Sequence, residues 1–578
     1  MSTPQKNDEL EVPSLAELGC FTLEPSGLYW GDTDERKVRI SGYVRAIANA
    51  QKSGSSAWST LVEFINIDGV RIRVLIPFTA LVGEGDELIR QLSDRGLWVK
   101  AGRKFKQRLV EWLSSSIRDL KSDLVLVDRT GWYEKSHFVF PDNAIGSEDQ
   151  KFYFSGVEKS PFQVAGTLEE WKEKVGRPCS GNSFLCLGVS LALSAPLLRL
   201  ATRESFGLHF HTSSSSGKTT IAKVAASVWG GPSKDYIKQW RATAVGMEAS
   251  ASLYCDLLLV LDEIGQGDPK EVEKAAYLLG NGSGKLRGTK TAELAKTRDW
   301  LITTLSTGEV SLSEHIGKMS RAGQEVRLCD ILADAGSEMG VFEAIHGFSE
   351  PSKFADHLVL SANACYGAVG RAFIKELIRN PDQILQAIDL TEKRFLGECV
   401  IPGASGQISR VGRAFALIAA AGELATEMGL TGWNGGEAFA SSKRVFQRWI
   451  DARGGQMDRE ETQAIEVVRG FFQNFGKSRF KSLIDEESSD STTNRNLSDM
   501  AGYKVMYENE VEWRVYSTTF TKDICKGLSL PLVCRTLKRL GLLRISFDNR
   551  NSISLFDPAS RSNTRFYVVK AKIAEVEL

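Results

Sequence analysis

Cysteine pairs, histidine clusters, an apolar leader and an excess of charge of either sign are all missing from this chain, and each absence removes a class of protein. The nine cysteines are odd in number, scattered, and contain no C-x-x-C pair. That excludes a zinc ribbon and a disulfide framework and fits reduced thiols in a cytoplasmic protein. None of the six histidines stands at metal-ligand spacing beside a cysteine. Lysine plus arginine and aspartate plus glutamate number 72 each, so there is no broadly basic coat, and any hold on DNA has to come from local stripes. The first sixteen residues are polar and lack the apolar run of a signal peptide, so residues 1–24 read as a disordered tail. Only the stretch Ser183 to Arg199 is apolar enough to suggest a membrane span. Three serines, Pro196 and Arg199 interrupt it, so a buried core helix and no membrane partner are expected.

Phosphate chemistry is written between Phe206 and Arg327. A short apolar strand from Gly207 runs into Ser213, Ser214, Ser215, Ser216 and Gly217, and then into a helix opened by Lys218, Thr219 and Thr220. Small residues let backbone N–H groups turn onto a triphosphate at a helix N-terminus, Lys218 reaches the β- and γ-phosphates of ATP, and the Thr219 hydroxyl holds Mg²⁺. The usual spacing wants glycine at 212, where this chain has Thr212. A serine-rich surface turn is the plain alternative. Leu257 to Leu261 is a continuous apolar run ending in Asp262 and Glu263, the pattern of a buried parallel strand whose tip meets the ligand. Asp262 is expected in the Mg²⁺ shell and Glu263 on the attacking water. A third apolar strand ends in Ser306 and Thr307, either of which could orient that water. Between these strands lies a short basic stretch with Lys285, Arg287, Lys290, Lys296 and Arg298, read as a β-hairpin. Arg321 and Arg327 then precede a further strand, a position that suits a finger reaching into a neighbouring subunit.

Around this α/β core the chain divides into a β-rich segment at 25–160, the P-loop core at 161–345, a helical lid at 346–455 and a winged-helix-like segment at 456–578. Thr60 to Ile76 alternates on both sides of Asp68-Gly69, a hairpin signal that puts Val70, Ile72 and Val74 on one face and Arg71 and Arg73 on the other. Trp98 to Arg108 interleaves rings and cations, either as a surface for single-stranded nucleic acid or as a half-exposed strand leading into a solvated helix. In the lid, two long apolar-faced helices carry Arg371, Arg410 and Arg413. Near the C-terminus, Ile465, Val468, Phe472 and Phe475 form a helical stripe. A helix at Leu532 to Leu540 carrying Arg535, Lys538 and Arg539, with strands near 543–547 and 565–569, makes a winged helix that could bind DNA or only protein.

Taken as an ordered set, Thr130-Gly131-Trp132, Ser215 to Thr220, Gln239 to Thr243, Leu259 to Ile264, Gly284-Lys285, Leu305 to Glu309, Ala322 to Leu328 and Ala421 to Ala425 resemble a known family. They are similar to the "domain of unknown function 927" proteins of phages, plasmids and mobile islands, grouped with AAA+ helicases related to superfamily 3 and MCM. The resemblance implies an ATP- and Mg²⁺-dependent AAA+ motor, working as a hexameric ring with single-stranded DNA in its channel and duplex at the fork, in replication of a mobile element. It also implies that the hairpin with Arg287, Lys290 and Lys296 grips DNA. Arg327 is the preferred finger with Arg321 in reserve, and Arg410 is the lid arginine that senses nucleotide, with Arg371 and Arg413 competing. Two rivals stay open: an AAA+ switch acting on proteins or in defence signalling, and a monomeric P-loop kinase of a small molecule.

Overall fold

The computed structural model describes residues 17–18, 20–31, 36–52, 57–82, 84–118, 120, 124–148, 150–155, 159–284, 298–317, 327–401, 404–453, 455, 459–484 and 499–575. Its N-terminal part is built from short strands: β1 (Glu17–Leu18), β2 (Phe21–Glu24), β3 (Gly27–Trp30), β4 (Val38–Ser41), β5 (Val44–Lys52), β6 (Trp58–Ile65), β7 (Arg71–Pro77), β8 (Leu124–Val127), β9 (Gly131–Tyr133), β10 (His137–Val139), β11 (Ala144–Ile145) and β12 (Lys151–Phe154). They form three sheets, ordered β1-β2-β3-β4, β12-β8-β5-β6-β7 and β11-β10-β9. The β6–β7 hairpin turns where the sequence marks it: Gly69 has φ 76°, and the Asn66 side chain accepts from the Asp68 and Val70 N–H groups. Its two arginines have a structural use. Arg71 and Arg73, with Arg45 of β5, converge at 3.0–3.1 Å on Glu63, whose side chain is wholly buried. Burial pushes the Glu63 carboxyl up, but hydrogen bonds from Arg73 and Arg45 and the charge of Arg45 and Arg71 outweigh it and hold the group below the usual range.

The centre of the molecule is a parallel sheet of β13 (Phe206–His211), β14 (Lys238–Gln239), β15 (Leu258–Asp262), β16 (Thr303–Gly308) and β17 (Leu328–Leu332), in the order β14-β15-β16-β13-β17. Strands covered on both faces read as unbroken apolar runs, which is why β15 is so plain in the sequence. The chain leaves β13, lays β14 to β16 on one side of it, and returns with β17 on the other. That makes the carboxyl tip of β13 a topological switch point, the place where open α/β sheets bind ligands. The helix Ser183–Ser194 is buried at every residue between the sheet, the helix Lys218–Ser227 and the helices Gly406–Glu427 and Glu437–Arg453. No helix among the described residues is long and apolar enough to cross a membrane.

Five helices follow β17: Pro351–Ala364, Ala368–Arg379, Pro381–Cys399, Gly406–Glu427 and Glu437–Arg453. Proline opens two of them, where its missing N–H costs nothing and its fixed φ suits the first turn. Beyond them lie the helix Arg459–Phe475, β18 (Phe480–Ser482), β19 (Gly502–Tyr507), β20 (Glu510–Tyr516), the helix Leu530–Arg539, β21 (Leu543–Arg544), β22 (Ile553–Asp557) and β23 (Ser562–Lys570). The helix begins two residues before the expected Leu532, with Pro531 in its first turn. The strand expected at 543–547 stops at Arg544, and β22 and β23 pair from Ile553↔Phe566 to Asp557↔Ser562. Unforeseen in the sequence is the β19–β20 hairpin, whose two turn residues Glu508 and Asn509 both take left-handed backbone, φ 48° and 62°. Turns of that kind are usually advertised by Asn-Gly or Asp-Gly, so Glu-Asn gave no warning.

N-terminal sheets and core meet at Asp256, just before β15. Its carboxylate is fully buried and accepts from Arg199 Nε at 3.0 Å and from the Trp132 N–H at 2.9 Å, with Arg129 Nη1 at 3.6 Å. Gly131 makes this approach possible: it sits at φ 104°, and a Cβ there would lie 2.2 Å from Asp256 Oδ2. Thr130 Oγ1 donates to the carbonyls of Leu253 and Cys255, and Trp132 Nε1 donates to Pro196 O at 2.9 Å. Asp256→Ala leaves two guanidinium groups facing each other without a carboxylate. Because both arginines keep some contact with water, the expected loss is near the low end for broken buried pairs, about 3 kcal/mol. Urea unfolding followed by tryptophan fluorescence reads it, and a loss below about 1 kcal/mol would mean that solvent already screens the site.

Candidate nucleotide site

β13 carries the chain out of the core to the switch point, and residues 212–217 turn it into the helix Lys218–Ser227. Two positions in this loop have left-handed backbone, Ser215 at φ 64° and Gly217 at φ 99°. Gly217 is also pressed against the chain behind it, since a Cβ there would lie 2.5 Å from Val341 Cγ2. Thr212 is not among the left-handed residues, so its side chain costs the backbone nothing, and its N–H reaches Gly308 O of β16 at 3.4 Å. The strain falls on Ser215 instead, where left-handed backbone costs about 1–2 kcal/mol.

Lys218 is buried, and its ammonium donates to the carbonyls of Thr212 and Ser213 at 2.7 Å each, with Ser216 Oγ at 3.4 Å. Burial pushes its pKa down while the carboxylates of Glu309, Glu263 and Asp262 pull it back up. Parallel pairing of His211 with Gly308 and of Leu261 with Ser306 sets the tips of β13, β15 and β16 side by side. Thr219 is exposed beside Lys218, and Thr220 is turned into the core. Ser213 and Ser214 lie exposed on the loop.

Opposite the loop, Thr307 Oγ1 donates to Asp262 Oδ1 and lies 3.4 Å from the Glu263 N–H. Glu263 itself takes φ 59°, ψ 72°, a left-handed conformation that a carboxylate residue holds only when its surroundings fix it. Between the two hydroxyls the sequence left open, geometry decides. Ser306 is fully buried and engaged by Trp240 Nε1 and His209 Nδ1, each at 2.8 Å, so Thr307 is the one beside the carboxylates. His209 Nε2 faces Val310 O at 2.9 Å and must donate to it, which leaves Nδ1 to accept from Ser306 and the ring neutral.

The arginines go to different places. Arg327 precedes β17, its guanidinium over the Tyr277 ring at 4.9 Å and its stem packed on Gly280. Its carbonyl accepts from the Gly207 N–H at the start of β13. It is thus at the opposite end of the sheet from the loop, roughly 16 Å away at ~3.3 Å per strand residue. Arg410 pairs with Glu204 at 3.3 Å, also at the strand-start end and not at its own loop. Arg413 lies 3.7 Å from Glu392. Arg371 is buried against Asp142, Asn143, Phe162 O and the Phe140 ring, far from phosphate chemistry. Two arginines that the sequence reading passed over do approach the loop's support. Arg448 donates to Asp334 O and Ala335 O, and Arg444 to Glu343 at 3.2 Å, flanking the segment whose Val341 N–H bonds Ser216 O at 3.0 Å. Their i, i+4 spacing on one helix was visible, but surface helices carry such pairs routinely. Arg287, Lys290, Lys296 and Arg321 lie outside the described residues. The two ends of the basic stretch are described, and they pair antiparallel: Ser283 bridges Asp299, and Gly284 N–H donates to Arg298 O at 2.8 Å.

Residues 21–300 match the family model described as domain of unknown function, DUF927. The likeness read from the motifs is borne out over that span. The DUF927 match covers the N-terminal sheets, the loop at Lys218 and the Asp262-Glu263 tip, and stops before β16, so Thr307 and Arg327 fall beyond it. No curated protein matches this chain. The solved structure named "SCCmec type IV Cch - active helicase" is similar in fold, with a TM-score of 0.64 and 17% identity over 97% of this chain and 100% of that one. The fold is therefore a mixed α/β arrangement shared with a helicase structure.

His209 gives the site a pH signature. Burial lowers its pKa from 6.5 to about 4, so the fold keeps the ring neutral while the unfolded chain takes a proton below 6.5. Stability is complete above pH 6.5 and falls on acidification towards pH 4, by at most ~1.4 kcal/mol per pH unit. Urea midpoints at pH 7 and pH 5 are expected to diverge for the wild type and to move closer in His209→Gln, leaving the share of His211, which burial also lowers.

Proposed function

We propose that this chain is an ATP-hydrolysing AAA+ motor that works as a ring, moves along single-stranded DNA and opens duplex during replication of a phage, plasmid or other mobile element. The observation that carries the reading is the convergence of Lys218, Asp262, Glu263 and Thr307 at the switch point of a parallel sheet. Lys218 exchanges its loop carbonyls for β- and γ-phosphate oxygens, which are acceptors of the same kind. Thr219 and Asp262 would hold Mg²⁺, which when bound supplies positive charge against the phosphates; a site with so few protein ligands suits an ion that keeps most of its water. Glu263 orients and deprotonates the attacking water, and the Thr307 hydroxyl fixes Asp262 and the Glu263 backbone.

A finger has to come from elsewhere, because Arg327 cannot reach its own loop across the sheet. A neighbour's Arg327 completes the site in a ring, and this favours an oligomer over a monomeric kinase. The paired ends of the basic stretch support a hairpin that would carry Arg287, Lys290 and Lys296 towards DNA in the channel. The solved helicase of similar fold supports the same reading. The elements from Leu530 to Lys570 are read as a winged helix. Arg539 there is paired with buried Glu461 and Lys538 with Asn549, so Arg535 is the cation of that helix best placed for a phosphate.

DNA-stimulated ATP hydrolysis tests the proposal. Lys218→Ala is expected to abolish hydrolysis, and Arg327→Ala to lower it by about a thousandfold or more. Mixing those two variants should restore hydrolysis that neither has alone, since one supplies the loop and the other the finger. Lys290→Ala with Lys296→Ala should keep basal hydrolysis and lose stimulation by DNA. Stimulation by a protein and indifference to DNA would instead establish the switch. Thr212→Gly is expected to change the affinity for a fluorescent ATP analogue by no more than about threefold, the entropy of one added glycine, whereas Gly217→Ala should abolish binding.

A further inference from the structure

The cations of the N-terminal part fall into two sets. One is consumed by carboxylates: Arg45, Arg71 and Arg73 on Glu63, Arg90 on Glu87, Arg103 on Glu84 and Lys106 on Asp86. The other lies on aromatic rings. Arg39 sits over Trp98 at 5.1 Å, Lys100 over Phe105 at 4.8 Å, and Lys104 and Arg108 each 4.7 Å from the Trp30 centroid; Arg108 belongs to both sets, since it also pairs with Glu111. Among the described residues no carboxylate pairs with Lys100 or Lys104.

Four pieces of chain bring these groups together, Arg39 coming from β4. Trp30 ends β3. Residues 98–100 add a further short edge beside β4, with Gly42 N–H on Trp98 O and Lys100 N–H on Ile40 O, both at 2.8 Å, and a bridge from Ser41 to Val99. Phe105, Lys104 and Arg108 come from the helix Arg103–Ser116. Strand alternation then turns Trp98 and Lys100 to the face opposite Val99, which packs on the core. Trp98 remains 44% exposed, an unusual place for the largest side chain unless something stacks on it.

From this arrangement we infer that Trp30, Arg39, Trp98, Lys100 and Lys104 form a second binding surface, for single-stranded nucleic acid, on the N-terminal part. Rings interleaved with cations match a strand in which bases and phosphates alternate. A duplex offers the phosphates but keeps its base faces stacked inside, so it can use only half of the surface. In a chain with no net charge, cations that pair with no carboxylate among the described residues are the local stripe that an anionic partner requires. The surface does not depend on the ATPase reading.

Fluorescence anisotropy of labelled oligothymidylate with the full chain, without nucleotide and in the Lys290→Ala, Lys296→Ala background, tests it. Trp98→Ala is expected to weaken binding by roughly 5- to 100-fold, the cost of one lost stacking contact, and Trp98→Phe to recover most of it. Lys100→Ala with Lys104→Ala should reduce the slope of log affinity against log salt by about 1.4, or ~0.7 for each phosphate contact on a single strand. Oligouridylate in place of oligothymidylate tells whether the strand is RNA or DNA. Basal ATP hydrolysis by the same variants should stay at the parent level, so failure of this surface is distinguishable from failure of the motor. Affinity for the single strand unchanged within twofold in Trp98→Ala, or equal losses for single strand and duplex, would overturn the proposal.

Discussion

Where the chain enters β15, a carboxylate has been taken wholly out of water. Asp256 is stable there because Arg199 of the core and, from the N-terminal part, Arg129 and the Trp132 N–H meet it. Removing either arginine leaves part of the buried charge without its counterpart, so the N-terminal part and the core are held in register by a single electrostatic condition. Six residues further on, the same strand delivers Asp262 and Glu263. The attachment of the N-terminal sheets and the placement of the catalytic candidates are thus set from the two ends of one short strand.

This explains why Thr130-Gly131-Trp132 was recognisable as a motif without any chemistry to attach to it. Its threonine bonds the carbonyls of Leu253 and Cys255, its glycine clears the way, and its tryptophan supplies one N–H to Asp256 and another to Pro196 O. Gln239-Trp240 resolves in the same manner, as the indole that occupies the Ser306 hydroxyl. Glu423, within Ala421 to Ala425, accepts from the N–H groups of Gly436 and Phe439 and so joins two helices. Several of the motifs are joints.

What could be read in the sequence was whatever one segment determines alone. The apolar run into Asp262-Glu263, the Asp68-Gly69 turn and the buried helix at 183–194 declare themselves through local pattern. The choice between Ser306 and Thr307 could not, because successive strand residues face opposite sides and only the neighbours tell which side holds the carboxylates. Arg371, Arg410 and Arg413 look alike on apolar-faced helices, and long-range packing sends each to a different acid. Arg71 and Arg73 showed only a shared face, because the partner that neutralises them, Glu63, lies on the adjoining strand. Thr212 looked like a fault because the usual pattern specifies a residue type, whereas the backbone there requires only an ordinary torsion.

Arg371 belongs to the helix Ala368–Arg379, yet its fork is spent on Asp142, Asn143 and Phe162 O, in the stretch where the N-terminal sheets hand over to the core. A clamp made of several charge-assisted bonds in a nearly dry pocket is stiff, and it has no half-open position. Turning Ala368–Arg379 against the parallel sheet must either tear those bonds or drag the N-terminal strands along. The helix Ala368–Arg379 and the N-terminal strands are therefore fastened to each other directly, by a route that bypasses the parallel sheet.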